Sequence, residues 1–216
     1  MAVVVGAQAQ GPVPMPNPVA AVADQPIPPP PAPSGAKSWV LMDAASGQVL
    51  AGDAIDTEVD PASITKVMTG YVVASEMHHG KVKATDEVVI SENAWRQGGA
   101  GTDGSYSALA VHSRVPLADV LQGLVIQSGN DAAIALAEHV AGSEETFVAL
   151  MNQTAQKLGL THTHYANAHG LSAPGHVSSA RDIALLSRAL IRDFPEHYAL
   201  YSIKEYTYNG IRQYNR

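Results

Sequence analysis

From Lys37 onward the apolar residues fall into short blocks whose period switches between that of a strand and that of a helix. Trp39-Val40-Leu41-Met42 and Gln48-Val49-Leu50-Ala51 flank Asp43-Ala44-Ala45-Ser46-Gly47, which predicts an antiparallel hairpin with a glycine-containing turn. Pro61 suits the first turn of a helix, and Ile64, Val67, Met68, Tyr71 and Val72 then recur at helical spacing, so that helix should be buried along one face. Val88-Val89-Ile90 reads as a short strand and Gly98 to Gly104 as a loop. Pro116 opens a second helix through Leu117, Val120, Leu121, Leu124 and Val125 that stops at Gly129, and another follows from about Asp131 to Val140. Ser143, with Glu144 and Glu145 in the first turn, caps a further helix that stops at Gly159. Ser179, with Asp182 three residues on, starts one running to about Arg192. Tyr206 and Tyr208, then Asn209-Gly210, then Ile211 and Tyr214 carry the strongest hairpin signal in the chain. A helical cluster with strands near both ends, and no repeat, predicts an α+β or mixed fold and not a βαβ series.

Composition separates the first 36 residues from the rest. Ten of the 14 prolines lie between Pro12 and Pro33, and Asp24 is the only charged side chain before Lys37. Pro28-Pro29-Pro30-Pro31 lacks amide donors and favours extended polyproline II, the behaviour of a linker. Ala2-Val3-Val4-Val5 leading into Ala7-Gln8-Ala9 reads as the end of a secretory signal whose basic start is absent; a plain Ala/Pro-rich tail is the alternative. Residues 37–216 are expected to form one soluble domain, long enough for a sizeable core. The net charge of −7, with scattered cations, argues against nucleic acid as a partner, and no apolar run approaches the length of a membrane span. Without cysteine there is neither a disulfide framework nor a thiolate metal site.

Ser63-Ile64-Thr65-Lys66 places a hydroxyl and an amine three residues apart at a helix start, on one face and within reach of each other. A serine becomes nucleophilic beside a base, and a desolvated lysine can serve. Moving a lysine from its ordinary pKa of about 10.4 to near neutrality amounts to roughly 4 kcal/mol, which burial can supply. The helix N-terminus adds amides that favour developing negative charge. A second Ser-x-x-Lys, Ser34 to Lys37, sits in the proline-rich stretch and is set aside. Ser128-Gly129-Asn130 lies between two predicted helices, where a glycine bend can turn a hydroxyl and an amide into a cleft. The plain structural reading is that Gly129 closes one helix and Asn130 caps the next. Ser91-Glu92-Asn93 shows that the triplet alone is unspecific. Order and context give the pair its meaning, since the triplet follows Ser63 by 65 residues.

In these segments the chain resembles the serine D-alanyl-D-alanine carboxypeptidases among the low-molecular-weight penicillin-binding proteins. The resemblance is carried by Pro61-Ala62-Ser63-Ile64-Thr65-Lys66, Gln127-Ser128-Gly129-Asn130-Asp131-Ala132, Asn167-Ala168-His169-Gly170-Leu171, Ala180-Arg181-Asp182 and Tyr201-Ser202-Ile203-Lys204-Glu205, in that order, and covers roughly residues 37–216. It implies a β-lactamase/transpeptidase-like fold, with a helical cluster packed on an antiparallel sheet. Ser63 would be the acylated nucleophile and Lys66 its proton acceptor, while Ser128 and Asn130 would relay a proton and hold the peptide. The implied partners are a peptidoglycan stem peptide ending in D-Ala-D-Ala and β-lactam antibiotics, with no cofactor or metal. The implied place is the periplasm or the outer face of the cytoplasmic membrane, with a membrane anchor expected beyond this chain.

The family's third motif, Lys-Thr-Gly, occurs nowhere in the 216 residues. It is expected beyond Arg216, on a strand that by family analogy carries the second oxyanion-hole amide, together with most of the sheet. Losing one such donor costs about 2.7–4 kcal/mol in a serine protease, so the 216 residues alone are expected to hydrolyse poorly and to leave a helix face uncovered. Two other readings stay open. A class A β-lactamase needs a Glu general base in a Glu-x-x-x-Asn setting, and Glu205 to Asn209 fits the letters but falls in the predicted hairpin. A non-catalytic cell-wall binding module gains only from the missing motif. His162 and His164 on an expected strand, and His169 in a loop, lack zinc spacing. Arg181 and Asp182 read as a structural first-turn pair, and Met68, Met77 and Met151 as core.

Overall fold

The computed structural model describes residues 35–102 and 104–215; the leader and proline-rich segment read in residues 1–34 lie outside them. Strands β1 (Trp39–Met42) and β2 (Val49–Asp53) form the first antiparallel hairpin, with an irregular step between Leu41 and Met42. Asp43 shapes its turn by accepting from the Ser46 amide at 2.7 Å and the Ser46 hydroxyl at 2.6 Å. A 3-10 turn, Ala62–Ile64, leads into α1 (Thr65–His78), and Pro61 stands at the cap of that turn, one position earlier than expected.

Helix α1 departs from the one-faced helix of the sequence pattern. From Thr65 to Ala74 every residue but Val67 is buried, whereas Ile64 is 47% exposed. Helices later in the chain, α3 (Leu117–Ile126), α4 (Asn130–Ala141), α5 (Glu144–Lys157) and α6 (Ala180–Asp193), all touch α1. A helix enclosed on all sides has no wet face for a periodicity to report, so Thr65, Lys66 and Thr69 go inside with hydrogen-bond partners.

The centre of the cluster is α4, whose residues Asn130 to Ala137 are all buried. Ala132, Ala133, Ala135 and Ala137 are fully covered, and small side chains there let neighbouring helices come close. Met68, Leu124, Ile134, Phe147 and Met151 fill the space around it, while Met77 packs at the edge. Two elements are absent from the pattern. α2 (Glu92–Gly98), in the approach to the expected glycine loop, is capped by Ser91, whose hydroxyl accepts from the Ala94 amide at 2.9 Å. β4 (Arg114–Pro116) pairs with β3 (Glu87–Val89), so Pro116 ends a strand as well as starting α3.

Ser143 and Ser179 cap α5 and α6 as expected, accepting from the amides of Thr146 and Asp182. The expected strand through His162 and His164 is corrected: only His164 makes an isolated bridge, to Val177, and the rest is turn. After α7 (Pro195–Tyr198) and a 3-10 turn, Ala199–Ser202, the ribbon β5 (Glu205–Tyr208) and β6 (Ile211–Tyr214) closes through Asn209 and Gly210, both at positive φ. Among the described residues the strands pair as three separate two-stranded antiparallel ribbons, within an α+β architecture.

Candidate active site

The chain enters α1 along a constrained path. The Asp60 carboxylate accepts from the Ala62 amide at 2.8 Å, and Ala62 itself takes a φ of +46°, an arrangement that leaves Ser63 exposed at the mouth of the helix. One turn on, Lys66 is 5% exposed, and its Nζ lies 3.1 Å from the Ser63 Oγ. Burial lowers the Lys66 pKa to about 8, although the negative charge of Asp131 pulls the other way.

The backbone on the far side of Lys66 comes from residues 167–170, and the Nζ also donates to the His169 carbonyl. Asn167 folds this loop: its Oδ1 accepts from the Gly170 amide at 2.6 Å and its Nδ2 donates to the Leu171 carbonyl at 2.8 Å. Gly170 has a φ of +90°, and a Cβ there would stand 2.0 Å from the Ala62 carbonyl oxygen, so only glycine lets the loop lie against the Ser63 turn. Thr69 donates to the Ala168 carbonyl at 2.6 Å. His169 is pushed down to about 4, first by burial and then by the Lys66 charge, and is therefore neutral. On the same side Thr65 Oγ1 lies 2.8 Å from His176 Nε2; the Ala166 amide donates to the other ring nitrogen, which leaves the proton on Nε2.

The bend between α3 and α4 brings the second motif to this place. α3 ends at Ile126, and Ser128 takes a φ of +58°, a conformation that costs a non-glycine residue about 1–3 kcal/mol and persists only where packing enforces it. Gly129 does not close a helix in a left-handed turn, as the plain reading expects: its φ is −67°. It must be glycine because a Cβ would meet the Ser107 Oγ at 1.9 Å. Nor does Asn130 cap α4; it is the first helical residue, and Gly129 holds the cap position. Ser63, Lys66 and Ser128 line one cavity of about 70 Å³ together with Val67, Leu124, Val125 and Tyr201. Asn130 is not in that wall. It is buried with its amide donating to the Ser105 carbonyl at 2.8 Å, and its carboxamide packs against Gly104.

Two residues of the site are given no role by the sequence, although both lie in family-like segments. Asp131 accepts from the amides of Ser107 at 2.8 Å, Leu109 at 3.1 Å and Ala132 at 2.9 Å, pinning the 105–109 segment to α4; burial raises its pKa and these bonds oppose the rise. Tyr201, inside a family-like segment but without an expected role, closes one side of the cavity, and burial pushes its phenol up to about 12. Arg181 pairs with Asp56 through two bonds of 2.7 and 3.1 Å, and Asp182 accepts from the His162 amide and the Thr163 hydroxyl, each at 2.7 Å. Both residues thus hold α6 in place, as a first-turn structural pair would. Glu205 starts β5, exposed and 3.9 Å from Arg212 across the ribbon, so the β-lactamase spelling at 205–209 supplies no base to this cavity.

Comparison with known proteins identifies the family and the fold. The D-alanyl-D-alanine carboxypeptidase family Peptidase S11 matches residues 25–216. The D-alanyl-D-alanine carboxypeptidase DacC of Escherichia coli is 52% identical over 182 residues, which are 84% of this chain and 46% of that protein. DacA of the same organism is 48% identical over 182 residues, 84% of this chain and 45% of that one. The chain thus spans about half the length of the curated relatives it matches. Penicillin binding protein 5 from Haemophilus influenzae superposes with a TM-score of 0.82 at 43% identity, covering 86% of this chain and 54% of that one. Penicillin binding protein 6B from Escherichia coli gives 0.82 at 44% identity, covering 88% and 61%. The fold is the transpeptidase/β-lactamase-like fold of the penicillin-binding proteins.

Proposed function

The chain belongs to the D-alanyl-D-alanine carboxypeptidase family Peptidase S11, and we propose that Ser63 is its acylated nucleophile, Lys66 the base and Ser128 a proton relay. The observation that carries this reading is the meeting of all three residues around one cavity, with the Ser63 and Lys66 polar atoms 3.1 Å apart. A neutral Lys66 amine takes the Ser63 proton as Oγ bonds to the carbonyl carbon of the penultimate D-Ala. The tetrahedral adduct collapses, the C–N bond breaks, and the terminal D-Ala leaves with a proton delivered through Lys66 and Ser128. Water, deprotonated in turn by Lys66, then hydrolyses the acyl-serine and restores the hydroxyl. A penicillin acylates the same oxygen by opening its β-lactam ring.

The substrate on this reading is a peptidoglycan stem peptide ending in D-Ala-D-Ala, which implies work in the periplasm or at the outer face of the cytoplasmic membrane. Among the described residues no helix is long and apolar enough to cross a membrane. Asn130, whose carboxamide packs beside Gly104, is on this reading the residue that holds the peptide. Lacking Lys-Thr-Gly, the 216 residues are expected to turn D-Ala-D-Ala peptides over slowly. The test is incubation with excess fluorescent penicillin followed by mass mapping. An adduct on Ser63 with slow release supports the reading, rapid turnover points to a β-lactamase, and an adduct on another residue, or none in a chain extended to carry Lys-Thr-Gly, overturns it.

A further inference from the structure

The sequence pattern marks Glu144 only as an acid in the first turn of α5. In the structure its carboxylate leaves that role to its exposed neighbour Glu145 and turns inward. Oε1 accepts from the Ala168 amide at 3.0 Å and lies 3.6 Å from the His169 Nε2. The Leu171 amide donates to the His169 Nδ1 at 3.2 Å, so that ring carries its proton on Nε2, facing the carboxylate. The same two residues face α1 with their carbonyls, that of Ala168 towards Thr69 and that of His169 towards Lys66. Residues 168 and 169 are therefore held between the carboxylate of α5 and the polar side chains of α1.

We propose that Glu144 is a positioning residue for Lys66, acting through the 167–170 loop that it anchors. A neutral amine has two N–H bonds and one lone pair. When the His169 carbonyl takes one N–H, the amine is held 3.1 Å from the Ser63 hydroxyl with its lone pair free to face it, which is the orientation that proton transfer needs. The chemical consequence rests on the reading of Ser63 and Lys66 given above; the anchoring does not. The loop also shields the amine from water, and the charged or titratable groups facing Lys66 are Asp131 of α4, His169 of the loop and Tyr201. Release of the loop would exchange the carbonyl acceptor for a water molecule at little cost, while the desolvation would be lost.

The test is NMR titration of the full chain carrying isotope-labelled lysine, with the Lys66 signal identified by its loss in Lys66→Arg. In Glu144→Ala the Lys66 midpoint is expected to rise by about one unit. Glu144→Gln keeps an acceptor for the Ala168 amide and is expected to stay near the unsubstituted chain, and Glu145→Ala is expected to leave the midpoint where it was. An unchanged midpoint in a folded Glu144→Ala chain overturns the proposal. If that variant does not fold, Glu144→Asp retains the charge but withdraws the oxygen, and the same two outcomes decide. Penicillin labelling of the unsubstituted chain separates the two ideas. A midpoint shift, with labelling absent even from a chain extended to carry Lys-Thr-Gly, keeps the anchor and sinks the acyl-serine reading; labelling without a midpoint shift does the reverse.

Discussion

The Lys66 Nζ and the Ser63 Oγ stand 3.1 Å apart, and burial holds the amine's pKa at about 8. Only the unprotonated amine has a lone pair for the Ser63 proton, and a depressed pKa means that this form is present above pH 8 and lost below it. Acylation of Ser63 by a penicillin is therefore expected to rise with pH, about tenfold per unit well below the midpoint, and to level off above it. Stopped-flow or gel-based rates from pH 5 to 10 check this, and a flat profile would remove Lys66 from the role of base.

Replacing Lys66 by Arg keeps a cation but not a base, because a guanidinium does not deprotonate in proteins. Penicillin labelling is expected to fall by about 10²–10⁴-fold while the chain stays folded by circular dichroism. Ser63→Ala should abolish the adduct altogether.

The loop that faces Lys66 depends on Gly170. Gly170→Ala would set a methyl group 2.0 Å from the Ala62 carbonyl oxygen at a φ of +90°. The conformational cost alone is about 1–3 kcal/mol, and the loop has to retreat from the Ser63 turn. Urea unfolding is expected to show the loss of stability, and penicillin labelling of the surviving folded chain is expected to slow.

At Gly70 the usual helix preference should be reversed. In an exposed helix interior Gly→Ala gains about 1 kcal/mol. A Cβ at Gly70 would come within 2.6 Å of the His197 Nε2, and the His197 ring is itself buried against Tyr201. Gly70→Ala is expected to lower the melting temperature; an increase would mean that His197 moves aside freely.

Where a signal is local, it can be read directly. The caps at Ser143 and Ser179 and the turn at Asn209-Gly210 form as expected because each depends on a few neighbouring residues. The Ser63 and Lys66 contact belongs to the same class, since three residues along a helix start impose proximity whatever surrounds them. Short elements are less legible: α2 and β4 are defined by α4 and by β3, which pack against them, and their own residues carry little pattern.

The chain alone thus determined the closeness of the Ser63 hydroxyl and the Lys66 amine, the main helices and the hairpins, all through spacing over a few residues. Packing decided that Ser128 reaches the Ser63 cavity while Asn130 turns towards Gly104, that Tyr201 walls the cavity, and that Glu144 holds the strip of backbone against Lys66. The reason is physical. Those contacts join residues far apart along the chain, and their geometry follows from how helices settle around the alanine-rich α4, which no short window of residues encodes.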